Sequence, residues 1–401
     1  MNAGKATLTP FCARPNAPGL MAFGGEETRC RRASHCEPLV YLRRRCSPRG
    51  GGPSNVHKRM AVGIIHANCH DRKPGLDPLH GEGSFRPRMA RKRKARIPRR
   101  WRRTKAFIIL NLIVWGTIGG WFLLQPAERQ REVSRLVMNA AQGDKNISAF
   151  EVAWDLWQLY YSKDYVAAEV TGDQRYFFAG MPKGSDKKVR LLANTGYVSG
   201  YSDMLGNPLW VAYRVRDVDS HAVPPRPDEF VVDARTVARI TPAVYTHSGF
   251  DRGHLAPNHA IALRHGSQAQ EETFLMSNII PQKHGLNAGL WKALEQKIAG
   301  NYPGRFGEVW VIAGPVISEQ PVWLQRRVAV PEACFMILVD ESAGRVRASA
   351  YLFPQEPPTG DLNDYLVTID EIERRTGLDF LAELPDAAEN ALEAARASRA
   401  W

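Results

Sequence analysis

Two short segments concentrate residue types that can cut a phosphodiester. Phe250–Pro257 reads FDRGHLAP, and Ser277–Glu295 reads SNIIPQKHGLNAGLWKALE. Together they set a histidine, an arginine, two asparagines and a glutamate within 45 residues. Hydrolysis of a phosphodiester needs a base to take a proton from water, cations to offset the crowded negative charge of the transition state, and usually a metal ion. Residue types alone leave plainer readings open: Asn287 could be a helix N-cap and Glu295 a solvated helix residue.

The order and spacing of these residues resemble the DNA/RNA non-specific endonuclease family, the sugar-non-specific ββα-metal (His-Me finger) nucleases of endonuclease G type. The family's DRGH motif stands intact as Asp251-Arg252-Gly253-His254, and its second motif as Asn278, Pro281, Gln282, Leu286, Asn287, Trp291, Leu294 and Glu295. A weaker likeness runs from Gly196 to about Pro385 and takes in Trp210-Val211-Ala212-Tyr213, Gly314-Pro315 and Glu371–Phe380.

The resemblance implies a role for each site residue. His254 would be the general base, because a neutral imidazole can accept a proton from water at neutral pH. Asn287 would be the direct metal ligand, Glu295 would hold a metal-bound water, and Asn278 would position the site through hydrogen bonds. Arg252 and Arg226 would clamp phosphate, since a guanidinium offers two parallel donors. Arg226 is placed by its position upstream of DRGH, and Arg235 or Arg239 could fill that role instead. Gly253 would let the chain turn without a Cβ between Arg252 and His254. The implied cofactor is Mg²⁺, with Mn²⁺ as a substitute, because a single amide oxygen suits an ion that keeps most of its water shell. On a regular helix Asn287 and Glu295 would stand ~12 Å and ~80° apart, so the pairing works if Asn287 sits at the helix entrance and Glu295 reaches back. Ala288 and Met336 depart from the polar residue and the lysine usual in the family, which bears on substrate preference and rate.

DNA and RNA are the implied substrates, cut with little sequence preference to leave 5′-phosphates. Binding through backbone phosphate predicts a steep fall of affinity with salt. Pairing as a homodimer is left open. Two rival readings differ in what they would cut: a phosphodiesterase acting on small nucleotides or other phosphodiesters would spare circular plasmid, and a catalytically silent, membrane-tethered nucleic-acid-binding protein would degrade nothing. Intact His254, Asn287 and Glu295 argue against the second.

The surrounding pattern predicts the elements that must hold these residues. From Leu191 onward short strands and turns prevail: a hairpin over Gly196–Val215 with Gly206-Asn207 in its connection, then strands at Glu308–Ile317, Val328–Val339 and Arg345–Phe353. Helices are expected at Ala288–Ala299 and Ile369–Thr376, the latter closed by Gly377. Ser148–Glu169 carries Phe150, Val152, Leu156, Trp157 and Tyr160 at helical spacing, an amphipathic helix whose aromatics serve packing rather than ligand binding. Scattered strands and helices without βαβ alternation indicate an α+β fold, here a ββα-metal nuclease domain on a mixed or antiparallel sheet.

Charge locates the remaining parts. The 401 residues hold 54 Lys/Arg against 41 Asp/Glu and are 44% hydrophobic, which excludes wholesale disorder and a polytopic membrane protein. Residues 1–105 account for 25 of the cations and 6 of the acids, leaving 29 basic and 35 acidic residues beyond them. Affinity for nucleic acid must then come from a local cluster around Arg252 and the metal rather than from bulk charge. Met89–Lys105 has ten cations and no acid, and the following Ala106–Leu124 has no charge at all. As a helix those apolar residues reach ~28 Å, close to the ~30 Å core of a bilayer. Cations on one flank only predict a single-pass signal anchor with its amino terminus cytoplasmic and the rest exported to a periplasmic or extracellular face. An organelle inner membrane is the alternative location, and a cleaved signal peptide the alternative fate.

The expected organisation is therefore a disordered basic extension over 1–88, absent from the natural protein if translation starts at Met89. A basic cytoplasmic segment over 89–105 and a transmembrane segment over 106–124 follow. A stem and amphipathic helix over 125–190, a nuclease domain over 191–385 and a tail over 386–401 complete the chain. Five of the six cysteines precede Met89, so the exported part, with Cys334 alone, has no internal disulfide.

Overall fold

A computed structural model of the chain describes residues 99–401 apart from 144, 169, 171–173, 185–187, 219–220 and 357–358. The expected extension 1–88, the five early cysteines and residues 89–98 of the basic segment lie outside the described residues. Helix α1 (Arg99–Leu123) contains the uncharged stretch, whose most apolar 18 residues have a mean hydropathy of 1.9 with none of them buried. It is long and apolar enough to cross a membrane. Pro126, which cannot continue a helix, separates it from α2 (Ala127–Gln142).

Helix α2 occupies the region expected to be a polar stem, and it packs. Val133, Leu136 and Asn139 are buried, the Arg135 guanidinium donates to the Phe306 carbonyl at 2.8 Å, and Lys145 pairs with Asp217 at 2.6 Å. Helix α3 (Ala149–Tyr161) starts in a capping box, Ser148 with Glu151, which satisfies two otherwise orphaned amides. It stops well short of the expected Glu169: Ser162 is extended, and Val166–Ala167 forms strand β1. Its polarity is also reversed, because Asp155 and Gln158 are buried while Phe150, Trp157 and Tyr161 are exposed.

The central sheet is antiparallel throughout. Its members are β1, β2 (Arg190–Ala193), β3 (Val198–Ser202), β4 (Asn207–Arg216), β7 (Glu308–Val316), β10 (Ala333–Ser342), β11 (Arg345–Pro354) and β12 (Leu366–Val367). They follow the order β1-β11-β10-β7-β4-β3-β2, with β12 paired to β11. Both faces are covered, so the strands read as continuous apolar runs whose alternate residues enter different cores. Val211, Tyr213, Met336 and Leu338 face one side, and Trp210, Ala212, Phe335 and Ile337 the other. The hairpin turn into β4 needs Gly206: its φ is +64°, and a Cβ there would lie 2.2 Å from the Arg327 carbonyl oxygen.

Three elements cover the first face and carry the chemistry. They are a ribbon of β5 (Asp251–His254) and β6 (Ile279–Gln282), helix α4 (Asn258–Glu272), and the helical run of α5 (His284–Leu286), a π-helical turn (Asn287–Trp291) and α6 (Lys292–Gly300). The run then turns into α7 (Tyr302–Phe306). Helices α8 (Ile369–Thr376) and α9 (Asp386–Glu393) contribute Ile369, Ile372, Ala388 and Leu392 to the core on the second face. The segment after α9 folds back so that Trp401 packs edge-on against Tyr302 and Phe306.

Several sequence expectations change. The strand expected at Val328–Val339 is two: β9 (Val328–Ala329), paired with β8 (Trp323–Leu324), and then β10, with Pro331 in the break because it has no amide to donate. The helix expected at Ala288–Ala299 becomes α-helical only from Lys292. Helix α4 has a weak apolar period interrupted by Gly266, at φ 82°, and was not expected. Ile369–Thr376 and its left-handed Gly377 cap (φ 69°) match the expectation.

Helix α3 is held to the domain chiefly by charge. Arg305 is buried and donates to both oxygens of Asp155 at 2.7 and 2.8 Å, while Asn301 and Glu151 take further donors. Removing one partner of a buried pair strands the other. Asp155→Ala should therefore cost about 3 kcal/mol of unfolding free energy, read from denaturant unfolding against the parent chain. A loss below about 1 kcal/mol would show that Asn301 and Glu151 satisfy Arg305 without it.

Candidate active site

The site is built on the pairing of β5 with β6, in which His254 lies opposite Ile279 and Asp251 opposite Gln282. Strand alternation sends Arg252 and His254 to the same face. There the His254 ring sits between Phe230, at 5.4 Å, and Phe274, edge-on at 5.0 Å. The same two rings carry the arginines, Arg252 over Phe230 at 5.7 Å and Arg226 over Phe274 at 5.1 Å. Burial, reinforced by the Arg226 charge, pushes the His254 imidazole down to about 3. The ring is thus held neutral, and its Nε2 is buried with no hydrogen-bond partner.

On the helical side, Asn287 donates its amide nitrogen to Asp251 Oδ2 at 2.9 Å, and His284 Nδ1 meets the same oxygen at 2.9 Å. Asp251 therefore fixes which way the Asn287 amide faces and leaves its oxygen available. Glu295 Oε1 accepts from the Trp291 indole at 3.0 Å, and burial pushes its carboxyl up to about 8 against that bond and the charges of Arg226 and Lys292. Asn287 and Glu295 face one cavity because the helix between them is not regular. Gly289 leaves helical geometry (φ −97°, ψ −120°) inside the π turn. A π turn absorbs one residue, so eight residues advance like about seven, and the ~80° offset of a regular helix falls to roughly 20°.

A cavity of about 530 Å³ joins these parts. Arg226, Arg252, His254, Asn287 and Glu295 all line it, together with Asn258, His259, Lys292 and Gln296. Of the three upstream arginines considered, Arg226 alone is among the described lining residues. Arg235 is spent on Asp233, Ala193 and Asn194, and the Arg239 backbone lies at φ 44° beside Arg327. One edge of Arg252 is likewise committed, donating to the Pro242 carbonyl and Thr246.

Asn278 lies outside the cavity lining and fully buried, donating to the Ala256 and Thr273 carbonyls and accepting from the Ala256 amide at 2.9 Å. It staples the chain just after His254 to the start of β6. Gly253 is not a turn residue: it lies within β5, and a Cβ there would stand 2.0 Å from Gln282 Oε1. Its function is to make room for a buried glutamine. Residues without an expected role also enter the site, namely Asp251, His284, Asn258 with a buried unpartnered Oδ1, His259, Lys292 and Gln296. Asp251 was visible as the first letter of DRGH. The others follow from their positions on α4, α5 and α6.

The donors near Asn287 suit a hard cation with few protein ligands. The amide oxygen of Asn287 and the carboxylate of Glu295 are oxygen donors, no thiol is among the described lining residues, and the volume leaves room for water. A carboxylate trio, Asp370, Glu373 and Glu393, with oxygens within 4.8 Å of one another, lies on α8 and α9 and does not line this cavity.

The chain is similar to several known proteins. The sequence profile described as DNA/RNA non-specific endonuclease matches residues 177–387. Among similar proteins, mitochondrial endonuclease G of Homo sapiens is 32% identical over 217 residues, covering 49% of this chain and 70% of that protein. A nuclease of Serratia marcescens is 32% identical over 222 residues, covering 52% and 80%. A solved EndoG/EndoGI complex aligns with a TM-score of 0.44 and 24% identity, over 53% of this chain and 90% of the other.

The tightest steric demand in the site is at Gly253. Gly253→Ala should push Gln282 off its place, with an overpacking cost of about 1–3 kcal/mol and a matching fall in thermal midpoint. An unchanged midpoint would mean that Gln282 yields freely.

Proposed function

The chain belongs to the DNA/RNA non-specific endonuclease family and is a nuclease, and on that premise we propose that it cuts DNA and RNA internally at the His254 cavity. The observation that carries the reading is the shared cavity: the neutral imidazole of His254 lines the same space as Asn287, Glu295 and two arginines. His254 takes a proton from water and so generates the nucleophile. Arg226 and the uncommitted edge of Arg252 neutralise the scissile phosphate, and an anion brought there in turn favours the protonated imidazole that the step produces. Asp251 holds Asn287 with its oxygen toward the metal site, and Glu295 orients a water in the same space. When bound there, Mg²⁺, or Mn²⁺ in its place, supplies positive charge to the leaving 3′-oxygen, which leaves 5′-phosphate products.

Sequence preference is weak in this reading because the recognised groups are backbone phosphates. We also read α1 as a membrane span. Most of its apolar surface is exposed, with Trp121 near its end meeting Tyr160, and cations crowd one flank alone, which sets the amino terminus on the cytoplasmic side and the nuclease domain on the other.

His254→Ala should lower plasmid nicking at least about 10²-fold while circular dichroism and thermal midpoint stay near those of the parent. Full activity in that variant would remove His254 as the base. Asn287→Ala and Asp251→Ala should both move the Mg²⁺ titration of nicking to higher concentration, the second by about 10–100-fold as expected for a group that orients a metal ligand. Titrations that superpose on the parent's would place the ion elsewhere.

A further inference from the structure

Helix α3 is amphipathic in the reverse of the usual sense. Its polar side faces the protein, where Asp155 and Gln158 are buried and Asp155 binds Arg305. Its aromatic residues Phe150, Trp154, Trp157 and Tyr161 follow one another at intervals of four, three and four, which puts them on one stripe. Phe150 is 61% exposed, Trp157 57% and Tyr161 68%. The rings pair along the stripe, Phe150 stacked with Trp154 at 6.5 Å and Trp157 tilted against Tyr161 at 4.5 Å. A row of aromatics turned to solvent is costly unless something apolar covers it.

Its position identifies the covering phase. Trp121, in the last turn of α1, has its ring 5.1 Å from Tyr160, and the Tyr160 hydroxyl donates to Gln125 at 3.2 Å. The uncharged run that begins at Ala106 ends at Leu124, so Trp121 lies within one helical turn, about 4.5 Å, of the edge of the bilayer's hydrocarbon core. Tyr160, beside Trp121, brings the end of α3 to the same level. Tryptophan and tyrosine are the side chains that settle at that depth, apolar in body and polar at the tip. Arg399 lies over Phe150 and Trp154, at 5.4 and 5.0 Å, and sets a cation beside the stripe where lipid phosphates are found. The area is small for a protein partner: four rings of about 150–250 Å² each, already partly covered, expose on the order of 400 Å², about half of one side of a stable protein interface.

We propose that α3 lies in the headgroup layer of the bilayer crossed by α1, with its aromatic stripe in the lipid. The nuclease domain is then docked on the membrane surface, through the Asp155–Arg305 pair, rather than swinging on a tether. This rests on the reading of α1 as a span. The test uses the full chain in nanodiscs of phosphatidylcholine, one chain per disc, with and without brominated acyl chains that quench tryptophan on contact. The brominated lipid should quench more emission from the parent than from W157F, and Y161W, which adds a reporter at an exposed position, should gain emission that is quenched. Equal quenching of parent and W157F, with unquenched added emission in Y161W, overturns the proposal while leaving α1 in the membrane. Loss of the parent chain from lipid vesicles on an alkaline carbonate wash overturns the span itself and the docking with it. Plasmid cleavage equal to the parent's in both variants shows that they are folded.

Discussion

The pairing of Asp251–His254 with Ile279–Gln282 is the constraint on which the site depends. It puts Arg252 and His254 on one face, where Phe230 meets both, and it brings Asp251 to the start of the helical run that carries Asn287. The pairing closes only because Gly253 has no side chain where Gln282 must lie. Its two ends are tied down separately. Asn278 bonds the chain just past His254, and Gln355, at the end of β11, accepts from the Lys283 amide and donates to the Pro281 carbonyl. The ribbon is thus tied at both ends, at one of them to the central sheet, and His254 is held in place.

Electrostatics then divides labour between two ionisable groups in one cavity. Burial holds His254 neutral and raises the Glu295 carboxyl, so without a bound ion the site avoids stacking charge in a poorly solvated space. The remaining formal charge is positive and sits on Arg226, Arg252 and Lys292. A cavity of that sign attracts phosphate even though the chain beyond residue 105 is acidic overall. Local placement, not net charge, sets the sign of the cavity.

The same economy appears in α3. Turning Asp155 inward supplies the partner that a buried Arg305 needs, and the helix can then spend its aromatic side elsewhere. Helix periodicity is blind to this choice. A stripe of rings at intervals of four and three residues looks the same whether it faces a core or a lipid, and only the location of the buried counter-ion tells them apart.

The sequence by itself determined the family. DRGH and the Asn-x-x-Pro-Gln segment hold His254, Arg252, Asn287 and Glu295 as candidates, and the family that these motifs indicate is the one to which the chain belongs. It also determined elements whose signals are local, such as a helix starting at Ser148 and the Gly377 cap. Tertiary structure decided the rest. It put Arg226 on the cavity lining and gave Arg235 other partners, since a guanidinium's partners lie far along the chain. It gave Gly253 its meaning, which is room for Gln282 rather than a turn. It brought Asn287 and Glu295 into phase through a π turn at Gly289 that no apolar period signals. Each of these depends on contacts across sequence distance, where the pattern of neighbours along the chain carries no information.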